Sequence, residues 1–108
     1  MRPAVLRPLA EQNLIASTRW TTGEGGLKLG ERAFDAARKA LLAIERMAGL
    51  GPPAIGQRCG LPDLRHWGVK KHPLRWFYFE RGSFSDVVRL LGERQDIAAI
   101  PTDEPPAV

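Results

Sequence analysis

The chain has 108 residues, 44% of them hydrophobic and 26% charged, and a formal net charge of +4. This length accommodates one domain with a single core, and the composition is ordinary for a globular protein. We expect neither a membrane span, which needs roughly 20 consecutive apolar residues, nor a signal peptide. Cys59 is the only cysteine, so no internal disulfide can form, and we expect a reducing cytoplasm.

The first two predicted elements are a short strand and a helix. Residues 3–7 favour an extended segment, and Pro8 follows at a position where the first turn of a helix tolerates proline. A helix is then predicted from Leu9 to about Thr21, with a C-terminal boundary left open by its serine and threonine residues. The segment Gly23–Gly26 has three glycines in four positions, which indicates a break before the next helix.

The clearest predicted element is a second helix from Leu27 to Ala48. Apolar and small residues recur along it every three or four positions, which is typical of a helix with one buried face. Glycines and the pair Pro52-Pro53 follow and end it. The predicted buried face consists of Leu27, Gly30, Phe34, Ala37, Leu41, Ile44 and Ala48. The opposite, solvent-facing side is predicted to carry Lys28, Arg32, Asp35, Lys39 and Arg46.

Three strands are predicted after a glycine- and proline-rich loop at residues 50–63. They span residues 64–71, 74–80 and 84–91, and the aromatic run in the second is typical of a central strand. The dipeptide His72-Pro73 and the turn at Arg81-Gly82-Ser83 connect them.

The predicted order is strand, helix, helix, strand, strand, strand. Two amphipathic helices must bury their apolar faces, and one face of the sheet is the available surface. The sequence therefore predicts an α+β fold in which an N-terminal strand and a helical hairpin pack on a small antiparallel sheet. We expect a single domain over residues 1–101 and a flexible tail over residues 102–108.

The order of elements, together with several short motifs between Val5 and Ile100, resembles the ParE/RelE toxin superfamily and its ParE branch in particular. The similar motifs are Leu6-x-Pro8-x-Ala10-x-x-x-Leu14, then Leu50-Gly51 with Gly56 and Leu64-Arg65, then Val69-x-x-His72-Pro73 with Phe77-Tyr78, and finally Val87-Val88-Arg89-Leu90-Leu91-x-x-Arg94-x-Asp96-Ile97. The chain departs from the family at Gly92, where members often carry histidine, and at the glycine linker Gly23–Gly26.

The resemblance implies the toxin of a type II toxin–antitoxin system. Its partner would be a ParD-like antitoxin, a small DNA-binding protein whose flexible tail wraps the helical hairpin and adds to the sheet. ParE members act on DNA gyrase, so the resemblance implies a gyrase inhibitor that works by binding, with no cofactor and no sequence-specific nucleic-acid binding of its own. The alternatives are a RelE-like ribosome-dependent mRNA endonuclease and a degenerate member that only binds its antitoxin.

The residues themselves favour binding over catalysis. Metal-free RNA cleavage needs a general base and a general acid, and the residues after Asp96 supply no histidine or tyrosine. Tyr78 lies within an aromatic strand, where a core or sheet-face position is expected. Histidine is a common general base, but His66 and His72 have no catalytic partner in sequence. These histidines and Cys59 lack the spacing of a metal finger, so no metal site is expected.

Basic residues are the candidate contacts. The stretch Arg58–Arg75 holds five Lys or Arg residues and one acidic residue, and five minus one equals the whole net charge of +4. Such a patch attracts an acidic partner or nucleic acid, or is only a solvated face. Arg89 interrupts an apolar strand, where a salt bridge is the alternative to a partner contact. The target-binding candidates are Arg89, Arg94, Lys70 and His72. The antitoxin-binding candidates are Arg58, Arg65, Lys71, Arg75 and Trp76.

Overall fold

The structure, a computed structural model, describes residues 2–47 and 63–92. Its elements are β1 (Ala4–Leu6), α1 (Pro8–Gly25), α2 (Leu27–Met47), β2 (Leu64–Gly68), β3 (Leu74–Glu80) and β4 (Ser85–Gly92). This order confirms the predicted α+β fold. The predictions for Ala48, for the glycine- and proline-rich loop, for Arg58, for Arg94 and for the tail lie outside the described residues.

The four strands form one mixed sheet in the order β1-β4-β3-β2. β3 pairs antiparallel with both β2 and β4, as expected. β1 pairs parallel with β4, which the sequence did not indicate. A parallel pairing is possible because the helical hairpin follows β1 in the sequence and carries the chain across before the other strands begin. β1 and β2 are consequently the two edge strands.

α1 is longer than predicted. Gly23 and Gly25 lie within it, and only Gly26 breaks the chain direction, with a φ of 92°. The N–H of Gly26 donates to the carbonyl of Thr22 at 2.8 Å and closes the last turn. The prediction of a break over the whole glycine segment was therefore wrong. Isolated glycines cost a helix only about 1 kcal/mol each relative to alanine, and packing against α2 outweighs that cost.

The hydroxyl groups of α1 are accommodated within the helix. Thr18 donates its hydroxyl to the carbonyl of Leu14 at 2.8 Å, and Thr21 donates to that of Ser17 at the same distance. Because the preceding turn satisfies these hydroxyls, the serine- and threonine-rich segment continues as a helix.

The buried face of α2 is rotated toward its alanines. Gly30, Ala37 and Ile44 are buried as predicted, together with Ala33 and Ala40. By contrast, Phe34 and Leu41 are only half-buried, and Leu27 is 67% exposed. Small side chains at the contact let the helix approach the sheet closely, and a large aromatic side chain from the sheet fills the space between them.

That aromatic side chain is Trp76, which is fully buried between the sheet and α2. Its indole N–H donates to the carbonyl of Ala37 at 3.0 Å. Tyr78 is two positions along β3 and faces the helices as well, whereas Phe77 faces the opposite side of the sheet. A register shift between Phe77 and Tyr78 places Phe77 opposite Arg89 and Tyr78 opposite Val87. The aromatic strand therefore contributes to two apolar clusters, one on each face.

A buried ion pair attaches the start of the helical hairpin to β4. Arg7 lies between β1 and α1, and its Nε and Nη2 donate to Oδ1 and Oδ2 of Asp86 at 2.9 and 2.8 Å. Arg81 donates to Oδ2 of the same carboxylate at 3.3 Å. Burial by itself raises the pKa of Asp86, but the bonds from Arg7 and Arg81 outweigh it, so the pKa of this carboxyl lies below its ordinary value.

Replacing Asp86 with Asn should destabilise the fold by about 3–5 kcal/mol at neutral pH, because it leaves the buried Arg7 without a counter-charge. The folded pKa of Asp86 lies below the unfolded one, so the carboxylate's contribution is present above the ordinary aspartate pKa of about 3.9 and is lost as the pH falls through the folded pKa. Urea unfolding of the parent and the variant at several pH values measures the loss of stability and its dependence on pH. Their difference should shrink on acidification, and a difference independent of pH would contradict this account. The matched control is Asp63→Asn, an exposed aspartate, which should change little.

Replacing Ile44 with Asp should cost several kcal/mol, since Ile44 is completely buried between α2 and the sheet and the new charge would have no partner. The same substitution at Leu42, which is 49% exposed on the same helix, should change the free energy of unfolding by far less. If the two variants lost the same free energy of unfolding in urea, α2 would not face the sheet with Ile44 as described.

Candidate partner-binding groove

A groove of about 780 Å³ lies between α2 and the turn that joins β2 to β3. One wall is formed by residues of α2, and the other by the end of the edge strand β2 with the following turn. Its apolar lining includes Ala36, Ala40, Ala43 and Trp67. The alanines have the four- and three-residue spacing of one helical face, so they form a continuous strip of small side chains along the groove.

The rim of the groove is basic. Arg32 and Lys39 contribute from α2, and Lys70 and Lys71 from the turn, against a single carboxylate from Asp35. Four cations minus one anion leave a formal charge of +3 on this rim. Both lysines of the turn are exposed, so their charges act on the solvent in front of the groove.

The turn itself is held by the backbone. The N–H of Val69 donates to the carbonyl of Leu74 at 2.9 Å, and the N–H of His72 donates to that of Val69 at 3.2 Å. Lys71 adopts a φ of 67°, a left-handed conformation that is uncommon for a residue with a side chain. The turn is therefore closed by two hydrogen bonds that keep Lys70, Lys71 and His72 beside α2.

Three of the predicted site residues come together here. Lys70 and His72, predicted as target contacts, line the same groove as Lys71, predicted as an antitoxin contact. The sequence assigned these three residues to two different partners. The structure places all three in one groove, because they are consecutive residues of one tight turn.

Two other predictions are corrected by burial. Trp76 was predicted to contact the antitoxin, but it is fully buried under α2 and has no surface to offer. Arg89 was predicted to contact the target, but it is 6% exposed, and its Nη1 donates to the carbonyl of Val88 at 2.5 Å. Trp76 is buried because α2 packs on its face of the sheet, and its indole N–H donates to the carbonyl of Ala37 there.

Arg65 and Arg75 lie outside the groove. Arg65 is on β2 and forms an ion pair with Glu80, with 3.8 Å between Nε and Oε2. Arg75 is on β3, with its Nη1 3.1 Å from Nδ1 of His66. Both are half-buried, and a contact of either with a partner stays a prediction.

The sequence did not indicate that part of α2 forms one wall of the groove. Arg32, Asp35 and Lys39 are exposed, as predicted, and they also form part of the groove rim. The available signal was the alanine strip beside them. Alanine beside charged residues on a helix is compatible with solvent exposure. Its small side chain also allows another chain to approach the helix closely.

Within residues 2–47 and 63–92, no group of three or more histidine, cysteine, aspartate or glutamate side chains is arranged to hold a metal ion. In the same residues, neither helix has the length and hydrophobicity needed to cross a membrane.

The comparisons with known proteins concern the fold. No family model matches the sequence, and no curated protein matches it. A chain of the solved structure described as "Chromosomal ParDE TA system from P. aeruginosa" is similar, with a TM-score of 0.73 and 15% sequence identity. The match covers 85% of this chain and 96% of that chain. This chain shares the fold of a ParDE toxin–antitoxin protein. The resemblance to ParE found in the sequence is thus confirmed at the level of the fold.

His66 provides a test of the electrostatics beside the groove. Burial lowers the pKa of His66, and the neighbouring guanidinium of Arg75 lowers it further. Replacing Arg75 with Gln should raise the pKa of His66 toward its ordinary value without reaching it, because burial is the larger cause. NMR titration of the imidazole resonances measures the shift, with Arg46→Gln, an exposed residue on α2, as the control. An unchanged titration in the Arg75 variant would contradict the contact.

Proposed function

We propose that this chain is the toxin of a type II toxin–antitoxin system, held inactive in the cytoplasm by a ParD-like antitoxin. The single observation that carries the proposal is the fold shared with a chain of a ParDE system over 85% of this chain. The motifs that resemble ParE in the sequence, from Leu6 to Ile97, support the same assignment.

The groove beside α2 supports an antitoxin as the partner. It combines an apolar strip with a rim of formal charge +3, and it lies at the end of the edge strand β2. An acidic segment that orders on binding meets both requirements, since apolar side chains supply affinity and complementary charge speeds the encounter. An edge strand also offers backbone groups to which a partner strand can be added.

Inhibition of DNA gyrase by binding is the proposed activity of the free toxin. A cleavage mechanism would need an accessible acid and base, and among the described residues the tyrosine and one of the two histidines are unsuited to that role. Tyr78 is completely buried, and His66 is 8% exposed beside the cation Arg75. These positions favour a binding inhibitor over a RelE-like mRNA endonuclease.

Expression of the chain without its antitoxin should arrest growth, induce the DNA-damage response and elongate the cells, while ribosome-bound mRNA stays intact. The purified chain should also inhibit supercoiling by gyrase. The measurements are a damage-response reporter, transcript mapping and a supercoiling assay, with the misfolding variant Ile44→Asp as the inactive control. Rapid cleavage of transcripts without a damage signal would instead establish the endonuclease, and normal growth with a well-folded chain would establish a member that only binds its antitoxin.

A further inference from the structure

We infer that the outer face of α1 is a contact surface between two copies of this chain, in which two α1 helices pack antiparallel about a two-fold axis at Ala16. The inference goes beyond the proposed function, because it concerns the chain alone and a surface that contributes no residue to the groove. The outer face of α1 comprises Leu9, Gln12, Ala16, Arg19, Trp20 and Gly23.

The outer face of α1 has no partner within one copy. Trp20 is 69% exposed, more than any other large apolar side chain of the described residues, and Leu9 is exposed on the same side of the helix. All six residues of the face are exposed, and Ala10 is the only buried residue of α1. Positions three, four and seven apart are neighbours on a helix, so the exposed apolar side chains lie on one continuous surface. Continuous exposed apolar surface marks an interaction site, whereas a single exposed residue needs no explanation.

Gly23 is not required by the packing described for one copy. Gly26 provides the positive φ that ends α1, and a side chain at Gly25 would meet Leu29 of α2. At Gly23, by contrast, an added Cβ would meet no atom within 4 Å. Because glycine is a poor helix former relative to alanine, its presence there is accounted for by a close neighbour from outside the copy.

The sizes of the side chains on this face are complementary to themselves. Leu9, Ala16 and Gly23 are seven residues apart and form one line along the helix. In an antiparallel pair with the two-fold axis at Ala16, Leu9 of one copy faces Gly23 of the second copy, and Ala16 faces its own counterpart. A large side chain therefore meets the smallest one at both ends, and the two alanines let the helices approach closely between them.

The polar residues of the face fit the same arrangement. Arg19 of one copy faces Gln12 of the second copy, whose amide oxygen can accept a hydrogen bond from the guanidinium. Trp20, four residues after Ala16, lies beside Leu9 of the second copy and covers it. No carboxylate or second cation is brought against Arg19 in this pairing.

Charge favours a second copy over other occupants of this face. α1 carries one cation and two anions, a formal charge of −1, whereas α2 carries five cations and three anions, a formal charge of +2. Two chains of net charge +4 repel each other less through α1 than through α2. An acidic segment or nucleic acid is attracted to the basic rim of the groove and not to this helix.

The dimer is expected to be weak and compatible with groove binding. A single helix pair buries less than the roughly 1,200–2,000 Å² of a stable interface, so association should require high protein concentration. Because α1 contributes nothing to the groove, both grooves of the dimer stay open.

Sedimentation velocity of the purified chain over a range of concentrations tests the contact. The parent should shift from monomer to dimer as its concentration rises. Ala16→Glu, which places two like charges against each other at the two-fold axis, should weaken association by about tenfold or more. The matched control is Ile15→Glu, at an exposed position of α1 outside the outer face, and it should associate like the parent.

Two further comparisons test the geometry. Ala16→Lys alone should also weaken association, and an equimolar mixture of Ala16→Lys with Ala16→Glu should restore it, because residue 16 faces its own counterpart. Gly23→Leu should weaken association as well, and adding Leu9→Ala to it should recover part of the loss, since the large and small positions are then exchanged. All these positions are exposed, and circular dichroism checks that each variant is folded.

Several outcomes would overturn the inference. These are a parent that stays monomeric at every concentration, equal association of Ala16→Glu and Ile15→Glu, and a charge-swapped mixture that stays monomeric. If the parent is monomeric and the protein of the adjacent reading frame binds it but not Ala16→Glu, the outer face of α1 belongs to that protein and not to a second copy. None of these results alters the toxin assignment, which growth arrest on expression tests separately.

Discussion

The buried pair of Arg7 and Asp86 is the constraint on which the arrangement of helices and sheet depends. β1 has only three residues and pairs with β4 over three positions, too short a ladder to hold an 18-residue and a 21-residue helix in place. Arg7 lies where β1 ends and α1 begins, and its bidentate bond to a β4 carboxylate fixes that junction. Its backbone N–H also donates to the carbonyl of Val87 at 2.9 Å. Buried ion pairs contribute little net stability relative to apolar replacements. We interpret this one as setting the register and direction of β1.

The far end of the hairpin is attached to the same strand. Glu45, in the last turns of α2, accepts the N–H of Ala4 at 2.8 Å through its carboxylate. The start of α1 and the end of α2 are therefore both tied to β1, and β1 is tied to β4. With both ends held, α2 can lie on the sheet mainly through alanines and Ile44, and Trp76 fills the space that larger helix residues would otherwise occupy.

The groove is a consequence of this packing. α2 packs on the sheet through small side chains and Ile44, and the edge strand β2 ends in the turn that forms the other wall of the groove. The space between them is lined by small side chains of α2 and rimmed by long cationic ones. A partner that fills it contacts the helix and the sheet edge together, so binding would depend on the folded arrangement of both. That coupling makes a partner of this groove a stabiliser of the folded chain.

The sequence alone determined the order of the elements, the presence of two helices and the central aromatic strand, because these follow from local periodicity and turn residues. It also indicated the ParE-like fold and the basic character of residues 70–72, but it wrongly continued the strand to Lys71, whereas β2 ends at Gly68 and Lys70 and Lys71 lie in the turn. Tertiary structure decided what local patterns do not encode. The parallel pairing of β1 joins residues about 80 positions apart, from Val5 to Asp86. The continuation of α1 through Gly23 and Gly25 depends on packing against α2. Trp76 and Arg89 looked like surface contacts only because their burial depends on neighbours distant in sequence. The groove exists for the same reason, since a helix and a turn more than 20 residues apart form its two walls.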